Sequence, residues 1–154
     1  MDASLNKLSL YNNWANQLLL ENFAQQAKKI PATSMRLLSH LVNTQVVWLS
    51  RIKGEKPEFT AWDEHPLEVC KEMHQQSFSV LQTLVTAEDN GEAIITYTNF
   101  QGIKFENSVN DILLQVLNHG TYHRAQIAQD MRKNGLEPVN TDYITFVREK
   151  ALVK

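Results

Sequence analysis

Residues that break regular structure are scarce in this chain, and their scarcity commits it to long helices. Only 5 Gly and 4 Pro occur in 154 residues, which leaves little room for long loops or disorder. Between these breakers the apolar residues mostly recur at the three-and-four spacing of an amphipathic helix. Residues 3–29 predict a first helix, with Leu5, Leu8, Tyr11 or Asn12, Ala15, Leu18, Leu19 and Phe23 inward. Pro31 stops it or opens the next. Residues 33–53 predict a second helix, with Thr33 or Ser34 placed to cap it. Leu37, Leu41, Thr44, Trp48 and Ile52 form one stripe there, with Leu38, Gln45 and Leu49 beside it. Gly54 ends it, since glycine enters the left-handed conformation cheaply.

Residues 54–65 read as a loop, with Phe59 and Trp62 expected over the end of a bundle. Pro66 suits the first turn of a third helix from Leu67 to about Thr86. Its inward residues are Cys70, Met73 or His74, Ser77, Leu81 and Leu84. The helical pattern lapses over residues 93–106. There Ile94-Ile95-Thr96-Tyr97-Thr98 and Ile103-Lys104-Phe105 flank Asn99-Phe100-Gln101-Gly102, the composition of a small hairpin. A lone hairpin is marginal in water, so it is expected to pack on the helices. A fourth helix is predicted over 109–134, with Ser108-Val109-Asn110-Asp111 as a capping box in which Asp replaces the usual Glu. Residues 141–150 predict a short final helix opened by Thr141 or Asp142. Four long helices with one hairpin define an all-α bundle, read as a single domain over 1–154.

Charge and cysteine content narrow the function. The net charge is -2, no long basic run occurs, and the basic doublet Lys28-Lys29 is placed where the first helix should end. Nucleic-acid affinity comes largely from neutralising phosphates, so no nucleic-acid partner is expected. One cysteine, Cys70, cannot form an internal disulfide. Met1-Asp2-Ala3-Ser4 does not open a signal peptide, and no apolar run approaches the roughly 18 residues that span a bilayer. A cytoplasmic protein with no membrane partner is the expectation.

The chemistry resides in histidines. His119 and His123 stand four apart on the predicted fourth helix, so both imidazoles project from one face. They align with Ile112, Val116 and Ile127, hence inward. Two nitrogens so spaced can ligate one metal, and burying them without partners is costly. His40, between Leu37 and Thr44 on the second helix, can supply a third nitrogen; His74 is the reserve ligand. Position 120 is Gly, so this is not the zinc-peptidase His-Glu-x-x-His motif. Close helix packing is the favoured reason for Gly120. Partners for the other ring nitrogens are sought among Asn12, Asn16, Asn43, Gln45 and Tyr122. His65 and His74 are expected at the surface or rim, Trp48 in the core, Cys70 as core filler, and Arg124 facing solvent or a second subunit.

Several segments together resemble the DinB family of metalloenzymes. They are Tyr11-Asn12-Asn13-Trp14-Ala15-Asn16, Leu38-Ser39-His40-Leu41, Trp48-Leu49-Ser50-Arg51-Ile52 with Gly54, and Asn118-His119-Gly120-Thr121-Tyr122-His123-Arg124-Ala125-Gln126-Ile127. The likeness continues through Gly135, Pro138 and Thr141-Asp142-Tyr143. The resemblance implies a bundle in up-down-down-up order and a homodimer. It implies metal ligation by three histidines, which map onto His40, His119 and His123. The metal it implies is nickel or zinc, with iron as a further candidate. It also suggests S-transfer from an external low-molecular-weight thiol to a small-molecule substrate. Three neutral imidazoles leave a divalent cation's charge uncompensated and favour an anionic fourth ligand. S-transfer by a thiolate and hydrolysis by an activated water both follow, the first preferred on the family resemblance. A non-catalytic metal-binding stress protein, DNA-damage-inducible in expression, is the alternative.

Overall fold

The computed structural model describes residues 3–87 and 91–152, with side chains to Glu149. Met1 and Asp2, which open the segment not expected to be a signal peptide, lie outside the described residues. The described residues are mostly helical, with five helices and one two-stranded antiparallel sheet among them. Its elements are α1 (Ala3–Gln25), α2 (Ala32–Lys53), α3 (Leu67–Thr86), β1 (Ile94–Thr98), β2 (Lys104–Ser108), α4 (Val109–Lys133) and α5 (Tyr143–Leu152). Among the described residues, no helix is long and apolar enough to cross a membrane.

The predicted elements exist, but some termini differ. α1 ends at Gln25, four residues early, and residues 26–29 form a turn in which Lys29 N donates to Gln26 O. Lys28-Lys29 therefore follow the last helical turn. α2 begins at Ala32, and neither Thr33 nor Ser34 caps it; the cap position is Pro31, with no side-chain bond. Ser34 instead donates to Asp130 of α4 at 2.7 Å, a tie between helices that local spacing does not reveal. The cap of α4 is as expected on one side: Ser108 Oγ accepts from Asp111 N at 3.1 Å. α5 starts two residues late, with Phe146 N bonded to Asp142 O.

Each of α1 and α2 packs against both α3 and α4. Two apolar clusters each draw on all four long helices. One joins Leu19 and Phe23, Leu38 and Leu41, Cys70 and Met73, Ile127 and Met131. The other joins Leu5, Leu49, Leu81 and Val85, Leu113 and Leu117. α1 and α4 therefore reach the second cluster first along the chain, whereas α2 and α3 reach the first. A buried polar layer separates the clusters: Arg124 Nη1 donates to Asn12 Oδ1 at 2.8 Å, Asn12 Nδ2 to Gln45 Oε1 at 3.3 Å, and Gln45 Nε2 to Ser77 Oγ at 2.7 Å. One chain of hydrogen bonds so crosses all four long helices, each bond satisfying a group that burial would otherwise strand.

The hairpin pairs Ile94 with Ser108 through Thr98 with Lys104. It docks on α2 through Tyr97, whose ring meets Trp48 edge-on at 5.3 Å while Arg51 lies 4.4 Å from Trp48 and 4.5 Å from Tyr97. Trp48 is therefore half-buried at this docking point. α5 closes on α1, where Phe146 and Tyr143 pack around Tyr11.

Residues 55–65 depart most from expectation. Rather than covering an end of the helices, they run back along α2: the carbonyls of Ala61, Asp63 and His65 bond to His40, Asn43 and Ser39. Residues 38–45 are buried without a break as a result.

Candidate metal centre

His119 and His123 sit one turn apart on α4, and His40 faces them from α2. The 119/123 pair is inward because Ile112, Val116 and Ile127 on the same stripe are buried. One ring nitrogen from each of the three histidines lies within 4.8 Å of the other two. Ring centroids are 4.3 Å apart for His119 and His123, 4.5 Å for His40 and His123, and 5.1 Å for His40 and His119. His40 and His123 are buried and His119 half-buried, so one side of the cluster reaches solvent.

The outer nitrogens determine what the inner ones offer. His40 Nδ1 stands 2.7 Å from Ala61 O; a carbonyl only accepts, so Nδ1 carries the proton. His123 Nδ1 donates to Gln126 Oε1 at 2.8 Å. Thr44 directs its hydroxyl hydrogen to the His40 or Leu41 carbonyl, and its oxygen accepts from His119 Nδ1 at 3.2 Å. Each neutral ring then presents an Nε2 lone pair. His119 Nε2 and His123 Nε2 face each other at 3.0 Å. Two lone pairs at that distance repel unless a cation lies between them. Bonds of about 2.0–2.1 Å to one metal place adjacent nitrogens roughly 3 Å apart, so the donor set fits a divalent ion.

Electrostatics point the same way. Burial lowers the pKa of His119 to about 4, with repulsion from His123 and His40 adding to it. Burial also lowers His40 and His123. Neutral imidazole is the ligating form. Among the described residues, no hydrogen bond joins any of the three rings to a carboxylate, so nothing in contact offsets a bound cation's charge.

The three expected ligands come together, but the expected partners do not hold them. Asn12 and Asn16 bind Arg124, Gln45 binds Ser77, and Asn43 binds Asp63 and His65. Tyr122 is 61% exposed and meets only the edge of His123, at 5.0 Å. The partners in place are Thr44, Gln126 and the Ala61 carbonyl, with Trp62 stacked on His40 at 3.7 Å. Spacing could have found one of them, Gln126, three residues after His123; Thr44 holds the His119 ring from another helix. No local signal marks Ala61 or Trp62, because the loop's return path brings them in.

Two other expectations, those for His74 and Arg124, need correction. His74 is not at the rim; it is buried, with Nε2 3.1 Å from Asn13 Oδ1, and it belongs to no metal cluster among the described residues. His65 is half-buried and bonds Asn43. Arg124 faces neither solvent nor a second subunit. It is 3% exposed, bonded to Asn12, Asn16 and Thr121 with its guanidinium 5.3 Å from the Tyr11 ring. Gly120 packs closely, as expected: a Cβ there would lie 2.6 Å from Asn12 Oδ1 and 2.9 Å from Arg124 Nη1. Cys70 is fully buried, and burial raises its thiol pKa.

Three convergent imidazoles between two packed helices define a candidate metal-binding helical protein. The sequence pattern of the DinB family matches residues 4–151, and the chain belongs to that family. It is similar to Protein DinB of Bacillus subtilis (strain 168), with 28% identity over 156 residues covering 89% of this chain and 90% of that protein.

Proposed function

We propose that this protein holds one divalent metal ion on His40, His119 and His123 and uses it for S-transfer from an external low-molecular-weight thiol to a small-molecule substrate. The facing Nε2 lone pairs of His119 and His123, 3.0 Å apart, carry the metal part of this reading. Nickel or zinc is the expected ion, with iron next, since imidazole suits all three. A bound ion would supply a Lewis acid that lowers the pKa of a thiol or a water. The protein's own residues hold three rings in one tautomer and leave the half-buried His119 side open to a substrate. Cys70 is too deeply buried to serve as the thiol, which therefore comes from outside.

Hydrolysis by an activated water uses the same geometry and is the second reading. The absence of a carboxylate bonded to the rings weighs against it, because no described base stands beside the site to take a proton. A non-catalytic metal-binding protein of the stress response is the alternative to both. We read the four long helices as a bundle in up-down-down-up order, supported by the sequence in which they meet the two apolar clusters. A homodimer without a nucleic-acid partner completes the proposal, on the family resemblance and the net charge of -2.

Metal analysis of the purified protein followed by thiol-transfer assays tests this. Bound metal and transfer activity should both disappear in His123→Ala while the helical circular dichroism persists. Metal without activity towards any thiol would leave hydrolysis and the non-catalytic alternative.

A further inference from the structure

Asn43 is fully buried and ligates nothing, yet both ends of its amide are engaged by one loop. Its Nδ2 donates to Asp63 O at 2.6 Å, and its Oδ1 accepts from His65 Nε2 at 2.8 Å. His65 N donates to Ser39 Oγ at 3.1 Å, and Phe59 packs edge-on to the His65 ring at 4.9 Å. Within the loop, Asp63 accepts from Thr60 N at 2.9 Å and from Thr60 Oγ1 at 2.6 Å. The turn from Thr60 to Asp63 is thus closed by its own side chains and tied to α2 through Asn43. Two groups that touch His40 sit inside it: the Ala61 carbonyl on Nδ1, and the Trp62 indole, stacked within 10° of parallel.

The geometry points to Asn43 and His65 as positioning residues of the metal centre, which orient the His40 imidazole through the Thr60–Asp63 turn without touching it. This rests on the metal reading above. His119 and His123 are held relative to each other by one helix. His40 is the ligand that must be aimed from a different element. Released from Ala61 and Trp62, its ring can exchange tautomers and rotate, and metal binding must then supply the ordering. Outer partners of ligating histidines typically control metal affinity by 10–100-fold.

The test measures Ni2+ and Zn2+ binding by calorimetry in the wild type, His65→Ala, His65→Gln and Asn43→Ala. Long-range 15N–1H spectra of the metal-free forms report each imidazole's tautomer. We expect His65→Ala and Asn43→Ala to bind Ni2+ about 10–100-fold more weakly, with the His40 signal changing from the Nδ1–H form to a mixture. His65→Gln, which keeps a donor for Asn43 Oδ1, should recover most of both. Unchanged affinity and an unchanged His40 tautomer in the two alanine variants would overturn the inference. If Asn43→Ala does not fold, Asp63→Ala unties the same turn from Thr60 at a more exposed position. A wild type that binds no metal would instead count against the proposed function, and the tautomer spectra would still decide the positioning role.

Discussion

Arg124 shows how one side chain's setting is decided by its neighbours. Arginine stays protonated in proteins, yet among the described residues Arg124 has no carboxylate partner. It is accommodated because Asn12, Asn16 and Thr121 turn oxygens towards it, and because Gly120, one turn earlier, leaves room for the guanidinium. Gly120→Ala is therefore a sharp probe. Helix propensity alone favours alanine by about 1 kcal/mol, but the added methyl collides with the Arg124–Asn12 bond. Overpacking of about 1–3 kcal/mol should exceed that gain, and urea denaturation should show net destabilisation. His74 lies in the same region and is lowered to about 4, by burial first and then by the charge of Arg124. In the unfolded chain it titrates near 6.5. As pH falls from about 6.5 to about 4, the unfolded state gains a proton that the folded state refuses. Stability is thus retained above 6.5, lost progressively down to about 4, and constant in this respect below. The difference amounts to at most about 3 kcal/mol. His74→Gln should flatten that part of the stability profile in metal-free protein; an unchanged profile would show that His74 is not its source.

Among the elements, α2 is the one whose neighbours most alter its reading. An amphipathic helix normally keeps a polar face in water, but residues 38–45 are all buried. Helices α3 and α4 take the apolar side, and the returning loop takes Ser39, His40 and Asn43. The apolar stripe therefore identified a helix without showing that its polar face was also covered. Polar residues on that face are hydrogen-bonded to the loop, which is why they tolerate burial. At the start of α4, by contrast, local chemistry suffices. Ser108, the last residue of β2, caps Asp111 N at the start of α4. Ser108→Ala should cost about 1 kcal/mol in chemical denaturation, with no loss of metal binding, because the three imidazoles are more than two turns away along α4 or on α2.

For the whole molecule, the proposed ion is a cross-link between α2 and α4. A ligand that binds only the folded state adds about 2.7 kcal/mol at a hundredfold excess over its dissociation constant. For a chain of this size that corresponds to roughly 5–10 °C in melting temperature. Chelation of verified metal-loaded protein should lower the transition by about that amount, and His40→Ala should make the transition insensitive to the chelator. A melting temperature indifferent to metal would sever the link between site and fold.

Helix type, the hairpin, the Ser108 cap and the facing of His119 and His123 were legible because each depends on residues a few positions apart. Periodicity, capping and the His-x3-His spacing are short-range geometry; the stripe of the second helix offered His40 as a third nitrogen, and the family resemblance implied the same residue. The partners of those ligands, the burial of Arg124 and His74, and the return of residues 55–65 along α2 depend on groups up to 112 residues apart, as in the Arg124–Asn12 bond. Whether a polar side chain turns outward or inward is settled by whether a distant acceptor waits for it, and only the packed molecule brings that acceptor into place.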